Sequence, residues 1–228
     1  MDSKTISRRL QQVAAFVPEG ARLLDVGSDH AYLPIYLMEK GMIRHAIAGE
    51  VVEGPFQSAQ KNVATHGLSQ QIEVRLANGL AAFEAEDQVD TIVIAGMGGR
   101  LIADILAAGQ KKLTSVKRLI LQPNNREDEL RAWLSENAFF LVTELMLEEA
   151  GKFYEILVAE KGQQSLTNQQ LRFGPHLVVE KSPVFKAKWQ KELDKLENAL
   201  AQVPVENEEA RGLLLTKINQ IKEVLHVS

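Results

Sequence analysis

The sequence has no cysteine, which removes disulfides, thiolate metal sites and thiol nucleophiles together and leaves apolar packing to hold the core. It also lacks long hydrophobic runs. The stretch Leu141 to Leu147 is broken by Thr143 and Glu144 and is too short to cross a bilayer. No signal-peptide pattern opens the chain, so a cytoplasmic protein with no membrane partner is expected. Positive charge is not in excess: 26 Lys and Arg stand against 30 Asp and Glu, a net charge of −4, which is not that of a polycation binding nucleic acid indiscriminately. Low-complexity tracts and long-period repeats are missing too. What remains, 45% hydrophobic and 25% charged residues in 228, is the composition of an ordinary globular protein.

The charge is unevenly spread. Residues 1–160 carry −6 and residues 161–228 carry +2, with five lysines between Lys181 and Lys195 against Glu192 and Asp194. Such a strip serves equally as a phosphate-binding surface or as the solvated face of a helix.

Short apolar runs bounded by turn residues recur at Arg22–Val26, Ala46–Val51, Ile72–Leu76, Thr91–Ala95 and Arg118–Leu121, the pattern of parallel strands buried on both faces. Helix-length segments lie between them, at Ala31–Lys40, Pro55–Thr65, Gly99–Ala108 and Arg126–Asn137. This alternation predicts a doubly wound α/β sheet. Two more strand-like runs, Phe139–Leu147 and Phe153–Ala159, are joined through Gly151 by a connection that fits only antiparallel neighbours. An amphipathic stretch, Lys4–Phe16, precedes the first strand and offers Ile6, Leu10, Val13, Ala14 and Phe16 as a docking face.

The polar segment 161–170 interrupts the alternation, so the chain divides into a sheet domain, 1–162, and a helical domain, 163–228. In the latter, Phe185, Trp189, Leu193, Leu196, Leu200 and Val203 form one seam, and Leu214, Ile218, Ile221 and Leu225 another. Joined around Pro204, they predict an antiparallel helical hairpin or short coiled coil. An exposed seam would support a weak homodimer, whereas mutual burial leaves a monomer.

The first strand runs into Asp25-Val26-Gly27-Ser28-Asp29-His30-Ala31 at the carboxyl edge of the sheet, where open α/β sheets bind ligands. A dinucleotide turn needs three glycines for close approach to a pyrophosphate, and only Gly27 is present. Two carboxylates occupy the turn instead, suiting a cationic ligand or one rich in hydroxyl and amino donors. Glu50 ends the second strand, where an acid can accept from ribose hydroxyls. Asn78-Gly79 follows the third and can read an adenine edge. The fourth strand enters Gly96-Met97-Gly98-Gly99, which lets the backbone pass close to a ligand or turn sharply into a helix. After the fifth, Gln122-Pro123-Asn124-Asn125-Arg126 reads equally well as amides facing this cleft or as cap-and-turn chemistry. No metal-ligand pattern stands out.

The run Asp25 to Pro34, together with Ala95-Gly96-Met97-Gly98-Gly99 and Leu121-Gln122-Pro123-Asn124, resembles the bacterial tRNA adenine N1-methyltransferase family TrmK, which modifies position 22 of tRNA, and the likeness extends over the whole chain. The resemblance implies a class I S-adenosylmethionine-dependent methyltransferase with a Rossmann-like sheet, an antiparallel edge hairpin and a coiled-coil-like tail. It places Asp25, Gly27 and Ser28 on the methionine side of the cofactor and Glu50 on the ribose. Asn78 and Gly79 fall by the adenine, and Gly96, Met97, Gly98 and Gly99 at the transfer site. Asn78 stands where such enzymes often carry Asp.

Adenine N1 has a lone pair and no proton, and alkylation makes the ring cationic, so a carboxylate near the base edge would stabilise the developing charge. Asp29 is the candidate, with helix capping as the competing role. His30 would hydrogen-bond cofactor or base, or be a packed or capped histidine, and Tyr32 would stack on a base or fill the core. Many amino-directed enzymes carry an Asn/Asp-Pro-Pro-aromatic element after the fourth strand; Gly-Met-Gly-Gly here fits a ring nitrogen better. Lys4, Arg8, Arg9, Arg126 and the lysines of 181–195 are candidate phosphate contacts for tRNA. The residues alone also allow a methyltransferase of this scaffold acting on protein or a small molecule, or a non-catalytic RNA- or protein-binding module.

Overall fold

The computed structural model describes residues 6–226; Lys4 lies outside them. Five strands, β1 (Ala21–Val26), β2 (Ile43–Glu50), β3 (Ile72–Leu76), β4 (Thr91–Met97) and β5 (Arg118–Pro123), run parallel. Two more, β6 (Phe139–Glu149) and β7 (Lys152–Lys161), run antiparallel to complete a sheet ordered β3-β2-β1-β4-β5-β7-β6. The expected hairpin turns at Ala150 and Gly151, both with positive φ (51° and 74°), the conformation whose twist matches the flanking strands. Its second strand, β7, inserts beside β5, which leaves β6 as the edge.

Alternation along β1 shows why these runs are strands. Leu23 and Leu24 are fully buried on opposite faces of the sheet. Leu23 packs in a core with Val13 of α1 (Arg8–Ala15), Ile35 of α2 (Tyr32–Glu39) and Val63 of α3 (Glu53–Thr65). Leu24 packs in another with Ile102 of α4 (Gly99–Ala108) and Leu130 of α5 (Glu127–Glu136). Helices therefore cover both faces.

The tail comprises α6 (Asn168–Phe173), α7 (Leu177–Glu180), α8 (Pro183–Gln202) and α9 (Glu208–His226). Thr167 opens α6 with a capping box, and Ser182 caps α8 ahead of Pro183. Phe185, Trp189, Leu193 and Leu196 of α8 form one buried cluster with Ile218, Ile221 and Val224 of α9. Val224, rather than the expected Leu225, is the more deeply buried residue at the end of that seam. Met146 of β6 joins the cluster, so the tail is docked on the edge strand. The polar segment before α6 is tethered as well: Gln164 accepts from the Leu141 N–H at 2.8 Å and from Ser135 Oγ at 2.5 Å. Among the described residues no helix is long and apolar enough to cross a membrane.

Candidate active site

The chain leaves β1 through an unusual turn. Gly27 has φ +67°, and Asp29, His30 and Ala31 follow with φ of 44°, 64° and 60°, three consecutive non-glycine residues in the left-handed region. Each such residue costs on the order of 1–3 kcal/mol and persists only where its surroundings over-determine it. Here the N–H groups of Gly27 and Ser28 donate to the Gly49 carbonyl at 2.9 and 3.2 Å, Asn62 Nδ2 donates to the His30 carbonyl at 2.8 Å, and Ala31 is fully buried. Helix α2 starts from Ala31 without a side-chain cap. Asp29 is thus not its cap, and the Asp29 side chain is 84% exposed.

Two acids end adjacent strands behind this turn. Asp25 is buried and accepts the Ser28 hydroxyl at 2.5 Å. Burial raises its carboxyl to about 7; the Ser28 bond opposes the rise, and the charges of Glu50 and Asp29 add to it. Glu50 is buried at the end of β2, where desolvation likewise raises its carboxyl, although a backbone hydrogen bond from Asp29 pulls it back. The Oε1 atom of Glu50 has no hydrogen-bond partner. A buried unsatisfied acceptor is costly and demands a reason.

A cavity of about 290 Å³ opens in front of Asp25, lined also by Gly27, Ser28, Asp29, Gly96, Met97 and Arg9. A Cβ on Gly27 would come within 2.3 Å of Met97 Cε. Gly96 turns with φ +80°, and its N–H donates to Oε1 of the fully buried Gln122 at 3.1 Å. Its carbonyl accepts from Asn124 Nδ2 at 2.7 Å. Arg9, on α1, donates to the same Gln122 oxygen, and its guanidinium lies 5.5 Å over the Tyr154 ring. The amides at the end of β5 and just beyond it, Gln122 and Asn124, therefore both shape the turn and hold the rim of the cleft.

Of the residues singled out from sequence, Asp25, Gly27, Ser28, Asp29, Gly96 and Met97 converge on one cavity, with Glu50 on the neighbouring strand. His30 sits beside Asp29, with Nε2 3.6 Å from Oδ1, and its ring is 5.5 Å from that of Tyr32. Asn78 is exposed past the end of β3, and Gly79, at φ +55°, is buried against Ile105. Gly98 does not line this cavity. A Cβ there would meet Asn125 Oδ1 at 3.0 Å, and one on Gly99 would meet the Arg126 carbonyl at 2.2 Å, so these two glycines serve the close packing of α4 against the turn into α5. Arg126 pairs with Glu129. Arg9, expected on the RNA side, lines the cavity instead, and Asn62 carried no signal in the sequence.

Comparison with known proteins identifies the family. The family model for tRNA (adenine(22)-N(1))-methyltransferase, TrmK, matches residues 23–223. The chain is 41% identical over 236 residues to the tRNA (adenine(22)-N(1))-methyltransferase of Bacillus subtilis (strain 168), covering 99% of each. It superimposes on the crystal structure of Streptococcus pneumoniae Sp1610, a putative tRNA (m1A22) methyltransferase in complex with S-adenosyl-L-methionine, with a TM-score of 0.92 and 64% identity over 97% of this chain and 100% of that one. It is also similar to Mycoplasma capricolum TrmK in complex with S-adenosyl-homocysteine, with a TM-score of 0.85 and 27% identity over 96% and 97% of the two chains. A family match over most of its length and a relative this similar from end to end show that the chain belongs to the TrmK family of tRNA (adenine(22)-N(1))-methyltransferases.

Proposed function

We propose that this chain transfers a methyl group from S-adenosylmethionine to N1 of adenine 22 of tRNA, with the donor along the carboxyl edge of β1, β2 and β4 and the target base at Asp29. The observation that carries the reading is the buried, unpartnered Glu50 oxygen beside the buried Asp25 carboxyl. Both fit the cofactor: Glu50 would accept from the ribose hydroxyls, and Asp25, held by Ser28, would face the cationic methionine end. Arg9 would take the methionine carboxylate, His30 would border the cofactor, and Asn78 and Gly79 would flank the adenine. The Streptococcus pneumoniae and Mycoplasma capricolum relatives, bound to S-adenosyl-L-methionine and S-adenosyl-homocysteine, support S-adenosylmethionine as the cofactor.

When bound, S-adenosylmethionine supplies an electrophilic methyl group on a sulfonium. The protein's part is to position and to stabilise charge. The left-handed turn holds Asp29 at the mouth of the cavity, where its carboxylate accepts a hydrogen bond from the exocyclic amine of the base and offsets positive charge building on the ring. The turn is fixed in advance by Asn62 and Gly49, so no reorganisation accompanies the reaction. Leu33 and Met97 supply apolar wall.

The RNA would follow a groove of about 1490 Å³ that begins at Asn124 and Asn125 and runs between α5, the hairpin turn and the tail. Six cations line it, Lys152, Arg172, Lys188, Lys191, Lys195 and Lys217, against the four acids Glu127, Asp128, Glu129 and Glu192. Asn124 also bonds Gly96, so the groove ends at the transfer site. Phosphates held there leave the target base to be drawn out of its stack toward Asp29. The lysine strip is accordingly divided: Lys191 and Lys195 line the groove, Lys188 lines it too but with its ammonium on Glu155, and Lys186 is exposed away from it. The chain works as a monomer or weak homodimer in the cytoplasm in this reading, since α8 and α9 bury their seams on each other.

The test is methyl transfer to an unmodified tRNA transcript followed by nucleoside mapping. Product 1-methyladenosine at position 22, lost when adenine 22 is replaced by guanine, is expected. Methylation elsewhere in the transcript, or of protein only, refutes the reading.

A further inference from the structure

Behind the groove lies a buried charged cluster that the reaction itself does not use. Arg131 on α5 has no exposed surface. Its Nε donates to Glu144 of β6 at 2.7 Å, one terminal nitrogen donates to Glu155 of β7, and the other to the Leu171 carbonyl of α6 at 3.0 Å. Glu144 also accepts the His176 N–H, at the start of α7, at 3.0 Å. Glu155 is paired again by Lys188 of α8, whose ammonium also approaches Glu127 of α5 at 3.6 Å. Burial alone would raise the Glu155 carboxyl, but Arg131 and Lys188 together outweigh it and hold it down.

Each of three tail segments thus contributes one polar atom, the Leu171 carbonyl, the His176 N–H and the Lys188 ammonium. Arg131 cannot balance Glu144 and Glu155 alone; Lys188 makes the set neutral. Gly174 permits this approach, because a Cβ there would lie 2.7 Å from Glu144 and 2.8 Å from Arg131. The apolar contacts of the same interface, Met146 against Phe185 and Trp189, tolerate sliding, whereas directional bonds to buried charges admit one register. Lys195 lies seven residues beyond Lys188 on α8, about 10 Å along the axis at 1.5 Å per residue. A 10° tilt of α8 about the cluster would displace it by roughly 2 Å, enough to break a phosphate contact.

We propose that the Arg131–Glu144–Glu155–Lys188 cluster sets the angle of the helical tail against the catalytic sheet, and that Lys188 and Glu155 are positioning residues for the tRNA. Lys188 lines the groove, but its ammonium is engaged by Glu155 and Glu127, so in this proposal it is not a phosphate ligand. The inference rests on the reading that RNA occupies the groove.

The experiment uses the full chain carrying Lys188→Met with Glu155→Gln, which removes both charges and strands neither. The KM for an unmodified tRNA transcript should rise about five- to tenfold, with kcat within about threefold, S-adenosylmethionine affinity within about twofold and the salt dependence of KM unchanged. Because the sequence has no cysteine, Gln60→Cys and Val205→Cys provide a unique label pair from α3 to the tip of the tail. The spin-label distance distribution should be narrow in the parent and markedly broader in the double variant. An unaltered KM, an unaltered distribution, or a loss of about one unit of salt slope would each overturn the proposal, the last by making Lys188 a direct phosphate contact. Lys191→Met separates the two levels. If it reduces the slope by about one while the double variant keeps the parental KM, only the positioning role falls; if Lys191→Met and Lys195→Met both leave the slope untouched, the groove reading falls and this inference with it.

Discussion

The Ser28 hydroxyl donates to Asp25 Oδ2 across 2.5 Å, and this is the hydrogen bond that opposes the effect of burial on the Asp25 carboxyl. The pair joins the last buried residue but one of β1 to the turn that lines the cavity, so a cation placed in the cavity would favour the ionised Asp25 carboxylate over its protonated form.

That coupling predicts a pH dependence. The Asp25 carboxyl titrates at about 7 in the folded chain against an ordinary 3.8, so the native state retains a proton that the unfolded state has released. Its contribution therefore lowers the stability of the ligand-free fold as pH rises from about 4 to 7. A cationic cofactor favours the ionised form. Affinity for S-adenosylmethionine should thus increase about tenfold between pH 6 and 8, and Asp25→Asn should remove that increment. Calorimetric titration of both proteins across this range is the check; identical pH profiles would refute the coupling.

Asp29→Asn should lower kcat by about a hundredfold, with S-adenosylmethionine affinity nearly unchanged, because the lost charge acts on the base. Since α2 takes no cap from Asp29, the melting temperature should stay at the parental value. Single-turnover kinetics combined with thermal melts distinguish this from a cap, whose loss would destabilise the fold by about 1 kcal/mol.

Asn62→Ala removes the side-chain donor to the His30 carbonyl and loosens the left-handed turn. A stability loss of about 1 kcal/mol is expected from the missing hydrogen bond. Turnover should fall by more than that loss explains, because Asp29 is carried on the same turn. Denaturant unfolding and kcat, measured on the same preparation, test it; a stability change with normal kcat would show that the turn needs no such clamp.

Arg9→Met keeps the stem but removes the guanidinium from the cavity wall. The KM for S-adenosylmethionine should rise about tenfold, consistent with loss of a charge-assisted contact, while the salt dependence of tRNA binding stays the same. A reduced salt slope with normal cofactor KM would return Arg9 to the phosphate-binding role its position in the sequence suggests.

The parallel strands were legible because burial on both faces demands near-continuous apolar runs, and the hairpin because Ala150-Gly151 leaves room only for an antiparallel return. The insertion of β7 beside β5 was not, since a short connection says which strands are neighbours and nothing about which one takes the edge. Asp25, Ser28, Glu50 and Gly96 were readable from their place at strand ends. The left-handed run from Asp29 to Ala31 was hidden because none of the three is glycine, and Asn62 acts from a helix 32 residues away from the backbone it holds. The lysine strip looked uniform, but Lys186 leaves the helix on a different side from the neighbouring pair Lys188 and Lys191, and only the fold shows that the Lys188 ammonium turns to Glu155. Arg131 resembles any helical arginine until β6 and β7 bring two acids to it.

The most direct test of the account is a crystal structure of this chain with S-adenosylmethionine. The account predicts the ribose hydroxyls on Glu50, the methionine end against Asp25 and Ser28, and the methyl group facing the cavity mouth at Asp29. Cofactor bound anywhere else, with the Glu50 oxygen still unpartnered, would contradict it.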